Sequence, residues 1–127
     1  MGLRLMEEGI SFIISVNQLD VRPDMDIILV RSAMIEHGST EAYVVSEERT
    51  YLGKLHLRSL ILADRHDTIM NLMDKDALSI KLDTSLQQAI KTASNFIGET
   101  IPIIERETNM FISTASEGEI FKLYLEL

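Results

Sequence analysis

Apolar and polar positions follow two periods along this chain, and the same succession of periods occurs twice. In the second half Leu86, Ala89, Ile90 and Ala93 fall at i, i+3, i+4 and i+7, the stripe of an amphipathic helix. In the first half Ile27, Val30 and Met34 hold the matching places, and Gly38 supplies a helix C-terminus. A short extended segment precedes each helix, residues 18–22 and 77–82, and each is followed by an aspartate, Asp24 or Asp83, suited to capping the helix N-terminus. After each helix comes a hairpin pattern. Tyr43-Val44-Val45 leads through a polar turn at 46–50 into Tyr51-Leu52-Gly53-Lys54-Leu55, and Ile101-Pro102-Ile103-Ile104 leads through 105–109 into Met110-Phe111-Ile112. The continuous apolar pairs Val44-Val45 and Ile103-Ile104 suggest strands covered on both faces. Leu57, Leu60, Ile61 and Leu62 close the first half as a short helix, and Ile120, Phe121, Leu123 and Tyr124 close the second.

The order strand, helix, strand, strand, helix therefore appears twice. An offset of 59 residues carries Asp24 onto Asp83, and residues 42–45 onto 101–104. A repeat of this kind decides the fold before any single motif does. Neither half of a 127-residue chain is long enough to bury a good core alone, so the halves are expected to share one. The charged segment 63–75 reads as a linker with a helical turn over 69–73.

Composition narrows the function. A hydrophobic content of 46% excludes a disordered chain. There is no cysteine, which removes disulfides and thiolate chemistry and fits a reducing compartment. The longest nearly apolar stretch, 10–16, is too short to span a bilayer, and no signal-peptide core is visible. A net charge of −8 argues against nucleic-acid binding, which needs a basic surface. His37, His56 and His66 lack metal-ligand spacing, and the seven methionines read as core or interface filler. No glycine-rich phosphate loop and no nucleophile and base placed by a motif are present, so the chain reads as a non-enzyme.

Two stretches carry a resemblance. The second half contains Thr100-Ile101-Pro102-Ile103-Ile104, and then Ser113-Thr114-Ala115-Ser116-Glu117-Gly118-Glu119-Ile120-Phe121. The first contains Gly53-Lys54-Leu55-His56-Leu57-Arg58-Ser59-Leu60-Ile61. Over residues 17–127 the chain resembles the cystathionine-β-synthase (CBS) domain family in its tandem form, the Bateman module. The resemblance implies an α+β fold of two β-α-β-β-α repeats, packed sheet against sheet with pseudo-two-fold symmetry. Repeat 1 would occupy 10–64, and the linker and repeat 2 would occupy 65–127. The segment Leu3-Arg4-Leu5-Met6-Glu7-Glu8-Gly9-Ile10 is similar to the connector after the last membrane helix of CLC-type chloride channels and transporters, and the tail 118–125 is similar to the end of their CBS pairs.

In that family the paired repeats leave clefts in which several members bind adenine nucleotides. A carboxylate at the start of the closing helix accepts hydrogen bonds from the ribose hydroxyls, and a hydroxyl three residues earlier faces a phosphate. By resemblance Glu119 and Ser116 take these places, and Ile80, Ile101 and Pro102 wall the base. Ser113 stands where the family has glycine. In the first half His56 and Ser59 replace the hydroxyl and the carboxylate, leaving His56 and Arg58 to meet the phosphate of a neighbouring ligand. The plainer reading is that Ser116 caps its helix and Glu119 favours the helix dipole, and it carries equal weight. The expectation is a cytoplasmic regulatory module that homodimerises, takes ATP, ADP or AMP, and adjusts an attached transporter or channel without entering the membrane itself. The alternatives are a ligand-free dimerisation module and a regulatory fragment of a larger enzyme.

Overall fold

Two three-stranded sheets organise the chain, each in its own unit, one within residues 18–77 and one within 78–127. A computed structural model describes residues 19–96 and 100–125. The first unit runs β1 (Asp20–Val21), α1 (Ile27–His37), β2 (Glu41–Val45), β3 (Tyr51–His56), α2 (Leu57–Ile61) and α3 (Ile69–Leu72). The second runs β4 (Ile80–Lys81), α4 (Leu86–Ser94), β5 (Ile101–Ile104), β6 (Phe111–Ala115) and α5 (Glu117–Leu125). Strand order is β1-β2-β3 and β4-β5-β6; in each sheet the first pair is parallel and the second antiparallel. The parallel pair requires a crossover helix and the antiparallel pair only a tight turn, the order read from the periodicity.

The helix ends show where a local rule was misplaced. Asp24 and Asp83 were expected as N-caps, but the caps are Asp26, accepting from Ile28 N–H at 2.7 Å, and Ser85, accepting from Gln88 N–H at 3.2 Å. A cap must stand immediately before the first helical residue to reach the free amides of the first turn, and the two aspartates lie earlier in the chain. Asp83 instead accepts from Arg106 Nε with both carboxylate oxygens, at 2.8 and 2.9 Å. At the other end of α1, Gly38 adopts φ 75° and donates to Ile35 O, while Ser39 N–H returns to Met34 O at 2.9 Å, a Schellman ending that needs the left-handed residue.

Each unit has a hydrophobic cluster of its own. Val21, Val30, Met34, Ala42, Val44, Leu55 and Leu60 pack together in the first, joined by Ile69 and Met73. Ile80, Leu86, Ala89, Ala93, Ile101, Ile103, Ala115 and Ile120 do so in the second. Helices lying on one face of a sheet already enclose a core, so each repeat has its own. The charged segment 63–75 is more than a linker. Through Ile69 and Met73 it belongs to the first core, and Lys54 and Asp74 exchange backbone hydrogen bonds at 2.9 and 2.7 Å on the outer side of β3. Gly53 permits this approach, because a Cβ there would meet Asp74 O at 2.9 Å and Met73 Sδ at 3.1 Å.

The repeat offset can now be traced residue by residue. It is 59 from β1 to β2, pairing the buried Val21, Val30 and Met34 with Ile80, Ala89 and Ala93. The register breaks between Val44 and Val45 and between Ile103 and Ile104, again at equivalent places. The second hairpin turn then holds one more residue. The closing hydrogen bond runs from Ser46 N–H to Thr50 O in the first and from Glu105 N–H to Met110 O in the second, both 2.9 Å. Arg49 and Asn109, at φ 71° and 59°, occupy the same left-handed place in each turn. Beyond it the offset is one residue longer, so His56 matches Ser116 and Lys54 matches Thr114.

The first sheet also contains a buried ion pair. Ala42 and Leu55 face the helices, so by strand alternation Tyr43 and Lys54 project from the opposite face. Lys54 Nζ lies 3.0 Å from Glu41 Oε2 and 5.9 Å from the centre of the Tyr43 ring, with the Lys54 and Glu41 side chains 3% and 7% exposed. Burial, with the charges of Asp74 and Glu41, pushes the Tyr51 phenol above its ordinary range, so this hydroxyl stays protonated. The second unit has Thr100 and Thr114 at the positions of Glu41 and Lys54. Breaking such a pair from one side leaves an uncompensated buried charge. Lys54→Met should therefore lose about 3 kcal/mol in urea unfolding, and the double change Glu41→Thr with Lys54→Thr should lose clearly less.

Candidate functional site

The closing helices begin where the resemblance placed the ligand chemistry, and the two beginnings differ. In the second unit β6 ends at Ala115, whose side chain lies in the core, and Ser116 turns the chain into α5. Ser116 Oγ accepts from Glu119 N–H at 3.1 Å, and Glu119 Oε1 accepts from Ser116 N–H at 3.0 Å. This is a capping box, in which two residues satisfy each other's free amides, and both are half-buried. It joins the two residues expected to bind a nucleotide and gives them the structural role of the plainer reading.

The expected walls of the base are divided between two faces of the second sheet. Ile80 and Ile101 point into the core among Leu86, Ala89 and Ile120. Pro102 pairs with Thr114 on the face away from the helices. Ser113, in the place of the family's glycine, is 4% exposed and lies opposite Ile103. Thr114 is buried, and its Oγ1 has no hydrogen-bond partner among the described residues.

In the first unit His56 stands at the N-cap of α2 without making a capping hydrogen bond. Its Nδ1 lies 3.8 Å from Glu41 Oε2, the oxygen that also meets Lys54. A cavity of about 450 Å3 opens here, with Glu41, His56 and Arg58 as its charged or titratable lining and Leu57, Ile61 and Leu62 as its apolar lining. The structure brings His56 and Arg58 together at one opening. It also adds Glu41 and, behind it, Lys54, which the sequence reading missed. The available signal was a lysine flanked by Gly53 and Leu55 in an otherwise apolar strand, a residue type rarely buried without a partner.

Among the described residues no cluster of histidine and carboxylate side chains could hold a metal ion, and no helix is long and apolar enough to cross a membrane. The chloride-channel-like segment 3–10 lies outside the described residues. No model of a protein family matches the chain, and no curated protein sequence does either. Solved structures do. The CBS pair of the putative Mg2+ transporter SO5017 from Shewanella oneidensis MR-1 matches with a TM-score of 0.76 at 15% identity, over 89% of this chain and 67% of that one. The CBS-pair protein CBSX2 from Arabidopsis thaliana matches with a TM-score of 0.73 at 16% identity, over 99% and 96%.

The chain has the fold of a tandem CBS pair. The cytosolic domain of the Mg2+ channel MgtE, solved in complex with ATP, matches this chain with a TM-score of 0.74 at 18% identity. That match covers 87% of this chain but 46% of the MgtE domain, so the chain spans less than half of that structure. CBSX2 has also been solved in complex with AMP. Within this fold the capping box makes a measurable contribution of its own. Ser116→Ala should cost about 1 kcal/mol in thermal or urea unfolding, because Glu119 N–H then loses its acceptor. The corresponding change His56→Ala should cost α2 much less, since His56 supplies no capping bond there.

Proposed function

We propose that this CBS pair is a cytoplasmic regulatory module, not a catalyst, which homodimerises, binds an adenine nucleotide and adjusts an attached transporter or channel. The observation that carries the reading is the fold, shared with CBS pairs whose structures hold ATP in MgtE and AMP in CBSX2. A CLC-type host is the form suggested by the sequence likeness of residues 3–10.

The chemistry assigned to each residue follows from the two helix starts. Glu119 gives Oε1 to Ser116 N–H, and Oε2 remains to accept a ribose hydroxyl, so the capping box orients the carboxylate for the ligand. Pro102 offers an apolar surface on the face of the second sheet away from the helices. Ile80 and Ile101, held in the core, would define the strand backbone near a base, with their side chains committed to packing. His56 and Arg58 are suited to phosphate oxygens, Arg58 through a guanidinium fork. A nucleotide that fits one arrangement of the repeats better than another shifts the population toward it, and the attached protein reads that shift.

A ligand-free dimerisation module is the second reading. The capping box favours it, since Ser116 and Glu119 satisfy each other without a ligand. Melting of the purified chain with millimolar ATP, ADP or AMP separates the two. A ligand at about 100 times its dissociation constant adds about 2.7 kcal/mol of stability, enough to raise the melting temperature by several degrees. The nucleotide reading expects that rise in the wild type and its loss in Glu119→Ala. An unchanged melting temperature with all three nucleotides would leave the ligand-free reading.

A further inference from the structure

One buried hydroxyl of the second unit is left over by the fold. Thr114 is 1% exposed, and its Oγ1 meets no hydrogen-bond partner among the described residues. A hydroxyl withdrawn from water without a partner costs stability, so its retention calls for a reason other than packing. Its neighbour Ala115 lies in the core, so strand alternation turns Thr114 to the sheet face away from the helices. Across the ladder stands Pro102, whose ring has neither donor nor acceptor. Two residues further on, the Ser116 hydroxyl is already committed, accepting from Glu119 N–H at 3.1 Å. The Thr114 hydroxyl is therefore available where the apolar surface of Pro102 and the start of α5 come together.

The first unit shows the same place filled from within. Lys54 stands where the second unit has Thr114, and Glu41 where it has Thr100. Lys54 Nζ meets Glu41 Oε2 at 3.0 Å beside the Tyr43 ring, so the polar group on this face finds its partner in its own sheet. The second unit has lost both charges and kept a polar atom at the lysine position. We infer that Thr114 is a ligand-contact residue of the second unit, its hydroxyl hydrogen-bonding the polar edge of a nucleobase that lies on Pro102. The inference rests on the nucleotide reading and adds a residue that selects the ligand. A hydroxyl both donates and accepts, so it takes an amino or a keto edge, whereas a sugar phosphate without a base leaves it unpaired. The base then does for Thr114 what Glu41 does for Lys54. The first unit, where those two side chains satisfy each other, offers a base no such partner.

Thr114→Val keeps the shape of the side chain and removes the hydroxyl. Without nucleotide the variant chain should melt at the wild-type temperature or a few degrees above it, because an unpaired buried group has gone. Calorimetric titration should show AMP bound about tenfold more weakly. Thr114→Ser retains the hydroxyl and should bind AMP close to the wild-type level. A Thr114→Val chain that melts several degrees lower would mean that the fold already uses the hydroxyl. One that binds AMP as tightly as the wild type would mean that the ligand does not touch it. Either result overturns the inference and leaves the nucleotide reading standing, whereas a wild-type chain that binds none of AMP, ADP and ATP removes both.

Discussion

Each unit depends on holding a two-residue strand in parallel register. β1 and β4 are too short to be kept in place by their own ladders, since each pairs at only two positions. They are held because the following helix packs back on the sheet. Val30 and Met34 of α1 meet Val21 of β1 in one core, and Ala89 and Ala93 of α4 meet Ile80 of β4 in the other. Apolar burial of this kind is worth roughly 1.5–3 kcal/mol for each large side chain. The strand, the helix and the hairpin are therefore stable together, and the closing helix begins wherever that assembly ends the last strand. The position of the candidate site follows from the packing: Ser116 is the first residue beyond β6, and His56 is the last residue of β3.

The two copies keep this framework and differ in what surrounds it. Buried positions, register breaks and left-handed turn residues correspond from one to the other. The closing helix begins with a satisfied capping box in one unit, and in the other with an uncapped histidine next to a carboxylate. The sheet face away from the helices holds Lys54, paired with Glu41, in the first unit and Thr114 in the second. The outer helix face is apolar in the first and polar in the second. Such changes leave the core alone, which is how one scaffold can acquire two uses.

Much of the fold was legible because it rests on periodicity. The stripe Leu86, Ala89, Ile90, Ala93 and the strand pairs Val44-Val45 and Ile103-Ile104 report burial directly, and their repetition adds weight to each. The caps were misplaced because Asp24 and Asp83 are as good capping residues by type as Asp26 and Ser85; only the position of the first helical turn separates them. The cluster within the first unit was less legible for another reason. Ile69 and Met73, in a segment read as charged linker, complete the first core, and a short helix gives little periodic signal. At the site, Ser116 and Glu119 were legible from their spacing, but their mutual hydrogen bonds required coordinates. The Lys54–Glu41 pair was hidden because its two members lie on different strands, and no local pattern brings them together.

The proposed nucleotide chemistry lies at the N-termini of the closing helices of a duplicated scaffold. Amide hydrogen exchange of the intact chain, compared with and without millimolar AMP, tests this most directly. It should show the strand amides of β2, β3, β5 and β6 protected in both conditions. Added protection on binding should fall at the start of α5, around Ser116 to Ile120, and at the start of α2, around His56 to Leu60. Protection that rises elsewhere while these helix starts remain unchanged would contradict it.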